Sequence, residues 1–193
     1  MKRLLILASL VSFLAACGAT AGPPKLEVKA GGKEATLEVK SGTVSPNEMT
    51  FTAPGRPPLK TSAHIIYLAN YELNAASDSA WVNRSMTSPG QMRVGIQLTG
   101  EDGSGAKSPF KVGTYSAQAA NVNGVRLVKV ESFADGKQAA TTFDTLMGYG
   151  DKKAAGEVKI TSVTDSAVSG EVNLTEGDKS VKGTFTASLP KRQ

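Results

Sequence analysis

From Lys25 onward, apolar and polar residues alternate with period two. Leu26, Val28 and Ala30 alternate with Glu27 and Lys29, and after a Gly31-Gly32 turn Ala35, Leu37 and Val39 alternate with Thr36, Glu38 and Lys40. That pattern predicts a β-hairpin. Met92, Val94, Ile96 and Leu98 alternate with Arg93, Gly95, Gln97 and Thr99, and Val181, Gly183, Phe185, Ala187 and Leu189 repeat the pattern near the end. Successive side chains of a strand point to opposite faces, so each pattern supplies one buried and one wet face, as is usual in antiparallel sheets. Residues 61–73 contain Ile65-Ile66-Tyr67-Leu68, apolar on both faces, which suits a central strand.

Further strands are expected at 124–133, 138–147, 157–163, 167–174 and 179–189. Turn signals separate them: Asp135-Gly136, Thr164-Asp165-Ser166 and Glu176-Gly177-Asp178. The last three strands form a meander in which Gly156, Gly170 and Gly183 mark bulges or close approaches. The expected fold is all-β, an antiparallel β-sandwich of about nine to eleven strands, with a β-barrel as the alternative. The one helical candidate is 74–86, weakened by its Ser, Asn and Asp content. Pro54-Gly55-Arg56-Pro57-Pro58 reads as a rigid corner between sheets.

The start of the chain has a different character. Lys2 and Arg3 form a positive n-region, and residues 4–15 are an unbroken apolar and small run, too short to span a bilayer. It ends in Leu14-Ala15-Ala16-Cys17, and these four residues resemble the lipobox of bacterial lipoproteins. The resemblance covers residues 1–17 only. It implies that Cys17 receives a diacylglyceryl group on its sulfur, that cleavage occurs just before it, and that the new amino terminus is commonly acylated as well. Two or three acyl chains hold stably where a single short chain holds marginally. Residues 18–24, Gly-Ala-Thr-Ala-Gly-Pro-Pro, lack periodicity and read as a tether. The organisation expected is therefore a signal peptide at 1–16, a lipidated Cys and tether at 17–24, and one β-domain at 25–190. By resemblance to the sorting rule of enterobacterial lipoproteins, Gly18 favours the outer membrane, facing the periplasm or the cell surface, in an organism that has two membranes.

Length and composition narrow the rest. The 193 residues hold one domain with appendages. The net charge of +5 falls to +3 once Lys2 and Arg3 are removed with the signal, too weak and scattered for a nucleic-acid partner. Cys17 is the only cysteine, so no internal disulfide is available and the fold must rest on burial and sheet hydrogen bonds.

The search for chemistry returns few candidates. With one histidine, His64, neither a two-His metal site nor a His-Glu-x-x-His helix is possible, and with Cys17 committed to lipid there is no Cys nucleophile or zinc pair. No Gly-x-Ser-x-Gly elbow or phosphate-binding loop occurs, and no cofactor is expected. His64 reads as a partly exposed strand residue at the start of its strand. Glu101-Asp102-Gly103 and Asp135-Gly136 read as turns rather than calcium ligands, and Gly103-Ser104-Gly105 as a turn in a polar loop. Trp81 either closes one end of the core or, with Arg84, contacts a glycan or partner surface. The function expected is a non-catalytic envelope lipoprotein held at the membrane by its lipid and binding an envelope protein or glycan. The alternatives are a hydrolase built from scattered residues such as His64, Asp144 and Glu72, and a carrier of lipid or a small apolar ligand inside a barrel.

Overall fold

A computed structural model describes residues 23–73, 86–119, 121–145 and 154–190. Among them there is no helix, and the strands are β1 (Lys25–Ala30), β2 (Lys33–Glu38), β3 (Ser41–Ser45), β4 (Glu48–Phe51), β5 (Leu59–Ala69), β6 (Met92–Asp102), β7 (Gly113–Ser116), β8 (Val125–Ala134), β9 (Lys137–Phe143), β10 (Ala155–Val163), β11 (Ala167–Glu176) and β12 (Lys179–Ser188). The lipobox with Cys17, the helical candidate apart from Met86, and Trp81 with Arg84 lie outside the described residues.

The predicted hairpins form with the turns their residues demand. Ala30 faces Lys33 across Gly31 and Gly32, whose φ values of 58° and 73° give the doubly left-handed turn that two-residue hairpins favour. Asp135 and Gly136 do the same between β8 and β9, at φ 52° and 71°. β10, β11 and β12 form the expected meander. On that meander Val158, Ile160, Val168, Val172, Leu174, Val181, Phe185 and Ala187 are buried, whereas Lys159, Glu171, Lys182 and Thr184 are exposed.

The twelve strands make one mixed sheet, ordered β7-β10-β11-β12-β3-β5-β6-β8-β9, that is not closed into a barrel; β1 and β2 attach beside β12, and β4 beside β5. One edge of β12 explains how this sheet becomes two layers. Residues 180–183 of that edge pair with β1, while Ser188 alone pairs, in parallel, with Thr43 of β3. Gly183, at φ 140°, sits at the end of the β1 register, and a Cβ there would lie 2.1 Å from the Lys25 carbonyl oxygen. At the seam a Cβ on Gly42 would lie 2.5 Å from the Thr186 oxygen, so the backbones approach as only glycine permits. Gly156 and Gly170 are close approaches too, with positions for a Cβ 2.0 Å from the Asn173 oxygen and 2.4 Å from the Lys159 oxygen.

Both halves feed a single core. Leu26, Leu37, Val158, Ile160, Val181 and Phe185 on one side meet Ile66, Leu68, Val94, Ile96, Val128 and Phe143 on the other, the arrangement of a sandwich. Across the far rim the Asp144 N–H donates to the Glu176 carboxylate at 2.7 Å, and Lys179 Nζ donates to the Thr142 carbonyl at 3.1 Å.

Three expectations need correction. Pro54 to Pro58 is a hairpin loop, not a corner between sheets, because Phe51 of β4 faces Leu59 of β5 within one sheet. The polar side of β6 is not wet: Arg93 and Thr99 are buried. His64, expected near the start of its strand and partly exposed, lies well inside β5 and is 5% exposed. Arg93 is enclosed by its cross-strand partner Glu131 and the Tyr67 ring, which local alternation does not show, and His64 shares the face of Ile66 and Leu68 beneath Phe110.

Candidate functional site

Two clefts mark the described surface, at opposite ends of β5. The first, about 260 Å³, lies where the early part of β5 and the end of β6 meet the loop leading into β7. Its walls carry Ser62 and His64 of β5, Glu101 and Asp102 of β6, Ser104, Ser108, Phe110 and Lys111 of the loop, and Tyr115 of β7. The second, about 440 Å³, lies at the β12–β3 seam, between Pro24, Val39, Lys40, Ser41, Glu72 and Leu73.

The loop at 103–112 is held by short-range chemistry of its polar residues. The Gly103 N–H donates to the Lys60 carbonyl at 2.7 Å, the Ser108 N–H to the Gly105 carbonyl at 2.9 Å, and the Gly105 N–H to Ser108 Oγ at 3.0 Å. Ser104 Oγ accepts from the Ser62 N–H at 2.9 Å and lies 3.3 Å from Ser62 Oγ. This hydroxyl cluster needs Gly100 beneath it, since a Cβ there would lie 2.2 Å from Ser62 Oγ. Lys111 reaches back to Glu101 at 2.6 Å across the cleft mouth, where both are exposed, and the Tyr115 hydroxyl donates to the Lys111 carbonyl at 3.1 Å.

His64 is the buried polar residue of this cleft. Its Nε2 lies 3.0 Å from the Ser108 carbonyl oxygen, and its ring packs against Phe110 with centroids 4.7 Å apart. A carbonyl only accepts, so Nε2 carries the proton in the neutral ring and Nδ1 is a bare acceptor. Nδ1 is buried and has no hydrogen-bond partner among the described residues. Burial pushes the imidazole pKa down, opposed by the bond to Ser108, so the ring is held neutral.

The scattered hydrolase set is not brought together. His64 bonds a backbone carbonyl and no hydroxyl or carboxylate, Glu72 lines the other cleft, and Asp144 lies on the far rim with its N–H on Glu176. Among the described residues no three His, Cys, Asp or Glu side chains converge as metal ligands. Neither cleft is an apolar interior cavity of the kind a lipid carrier needs, since Ser, Thr, Lys and Glu side chains form much of both walls.

One cluster is invisible in the sequence. Arg93 on β6 faces Glu131 on β8, and its Nε and Nη2 both donate to one Glu131 oxygen, at 2.9 and 2.6 Å. Their side chains are 10% and 7% exposed. The other Glu131 oxygen takes Lys129 at 2.8 Å and Gln138 at 3.1 Å, and the guanidinium lies 5.8 Å from the centre of the Tyr67 ring. Burial pushes the Glu131 carboxyl up, but hydrogen bonds from Lys129 and Arg93 and their charges together hold it below its ordinary value. The only sequence signal is opposite charge at two positions whose pairing depends on strand register.

Comparison with protein-family models, with curated proteins and with solved structures returns no match for this chain.

Proposed function

We propose that this chain is an exported lipoprotein, anchored in a membrane through Cys17, whose β-domain is a non-catalytic binding module that receives an envelope partner or glycan at the His64 cleft. Cys17 carries the proposal: it is the only cysteine and closes the Leu14-Ala15-Ala16-Cys17 motif behind a signal-like run. The geometry of the domain supports it. From Cys17 to Pro24 the tether spans at most about 25 Å, and Pro24 is tied to the sheet by the Val39 N–H at 3.0 Å, beside the second cleft. The first cleft lies at the other end of β5, whose length is about 35 Å at the usual rise per residue. Anchored this way, the His64 cleft faces away from the bilayer and toward a partner. The neutral, carbonyl-bonded imidazole supports binding over catalysis, because among the described residues no nucleophile or carboxylate is bonded to it. The outer membrane is the destination that Gly18 favours, where there are two membranes.

The test is mass spectrometry of the N-terminal peptide of the purified protein, together with fractionation of Cys17→Ser. The expected peptide begins at an acylated Cys17, and the variant moves to the soluble exported fraction with its β-rich circular dichroism intact. A bare thiol in the native protein, or a variant that stays with the membrane, refutes the anchor.

A further inference from the structure

We propose that the segment 103–112 is a proton-released cover of the first cleft: protonation of His64 detaches Ser108–Phe110 and opens the cleft. The consequence for binding rests on that cleft being the ligand site; the release itself involves no ligand.

In the neutral state every demand of the ring is met cheaply. Nε2–H donates to the Ser108 carbonyl, Phe110 covers the ring, and a bare acceptor at Nδ1 is tolerated. Adding a proton places a second N–H donor and a positive charge where no acceptor stands among the described residues. A buried donor without a partner carries its full desolvation cost, and a charge carries more. The charged and titratable groups around it do not offset this cost. From β6, Glu101 is engaged with Lys111 of the loop and Asp102 is exposed; from β4, Glu48 is engaged with Lys60 at the base of β5; β7 contributes the Tyr115 phenol. Among the described residues no carboxylate is bonded to the ring.

The relief comes from the weakest cover. On its strand sides His64 is enclosed by β5 and β6, paired along most of their length. Ser108–Phe110, by contrast, is attached through the His64 bond, the Phe110 packing and the small Gly105–Ser108 turn. Local opening draws on segments held in this way, long before the sheet itself yields. Once the segment lifts, water reaches both ring nitrogens and the imidazole titrates near its ordinary value of 6.5. The open state therefore gains population at about one order of magnitude per pH unit below that value, until the closed state also titrates.

The experiment is hydrogen exchange of the full-length protein at pH 7.5 and 5.0, each corrected for intrinsic exchange, read at the Gly105 and Ser108 amides and compared with β11. Expected is a fall in loop protection of up to about thirtyfold by pH 5, from a protection level below that of β11 at both pH values, beginning near 6.5 and ending where the His64 ring of the native protein titrates by NMR. In His64→Gln, whose amide donates to the same carbonyl but takes no proton, the loop's pH dependence disappears. Loop protection that is equal at both pH values overturns the proposal, as does a fall that lies outside the window between 6.5 and the NMR titration of His64. Unchanged pH dependence in His64→Gln assigns the effect to carboxylates and also overturns it. Should the variant not fold, the agreement of that window with the His64 titration in the native protein decides. A native protein with no ligand at this cleft leaves these readouts untouched, so failure of the binding proposal is separately visible.

Discussion

Glu131→Ala tests how the polar face of β6 and β8 is held. The wild-type carboxylate receives two charged hydrogen bonds from Arg93, and its removal leaves a guanidinium of 10% exposure with no carboxylate. Arg93 Nη1 already lacks a hydrogen-bond partner among the described residues, and what remains beside the guanidinium is the Tyr71 hydroxyl and the Tyr67 ring at 5.8 Å, the latter worth about 0.5–2 kcal/mol. Stranding one partner of a buried pair costs about 3–5 kcal/mol, which in a domain of this size lowers the melting temperature by about 6–20 °C. Arg93→Ala is the milder change, about 1–3 kcal/mol, because Glu131 keeps Lys129 at 2.8 Å and Gln138 at 3.1 Å. Replacing both by apolar residues of similar volume, Arg93→Met with Glu131→Leu, loses less than Glu131→Ala alone, since the one charge that loses its partner is the solvent-accessible Lys129. Urea unfolding followed by circular dichroism measures all three, with the slope against denaturant held constant as the sign that stability alone has changed. The order is the decisive result: a Glu131→Ala loss under about 1 kcal/mol, or a larger loss in Arg93→Ala, refutes the account. The pH dependence follows the same pair. Glu131 has a lowered pKa in the fold, so its contribution is complete above its ordinary 4.5 and is lost as the pH falls through the lower folded value.

Other outcomes follow from single residues. His64 has a lowered folded pKa, so between pH 8 and its ordinary 6.5 it contributes no pH dependence; below 6.5 the unfolded chain takes up the proton first and global stability falls, and urea titrations of wild type and His64→Gln should separate only there. Gly183→Ala is expected to cost at least about 1–3 kcal/mol from its backbone conformation alone, with more from the Lys25 oxygen 2.1 Å away. Gly32→Ala, at φ 73° with open space around it, is the control and should cost about 1–2 kcal/mol; equal thermal shifts in the two variants would contradict the close approach of β1 to β12.

Sequence pattern located β1, β2, β6 and the β10–β12 meander by clean alternation, and β5, β8 and β9 by apolar runs between turn signals. Their turns were legible because Gly-Gly and Asp-Gly meet a specific backbone requirement. β3, β4 and β7 were missed because segments such as Ser41–Ser45 and Glu48–Phe51 are short and mixed, and become strands only by pairing with β5 and its neighbours. The β12–β3 junction, a single parallel pair, has no local signature at all. The His64 cleft and the Arg93 cluster were not legible for a related reason. Alternation assigns Arg93 and Thr99 to a polar side, whereas their burial depends on what packs there; His64 shares a face with Ile66 and Leu68, and its cover comes from Ser108 and Phe110, distant in sequence. Ser104, which as sequence is one residue of a polar turn, becomes a cleft wall only when its hydroxyl meets Ser62.

The pairing of β1 with β12 joins residues 26–29 to 180–183, almost the whole length of the domain apart. β12 is also the partner of β11 and β3, so the final stretch of the polypeptide is needed by three separate strands. A chain delivered N-terminus first therefore cannot lock its earliest strand until its last one has arrived. Contacts this distant in sequence also slow folding. Strands β5, β6, β8 and β9 can pair beforehand, but the seam that joins the two layers closes only when β12 has met both β1 and β3.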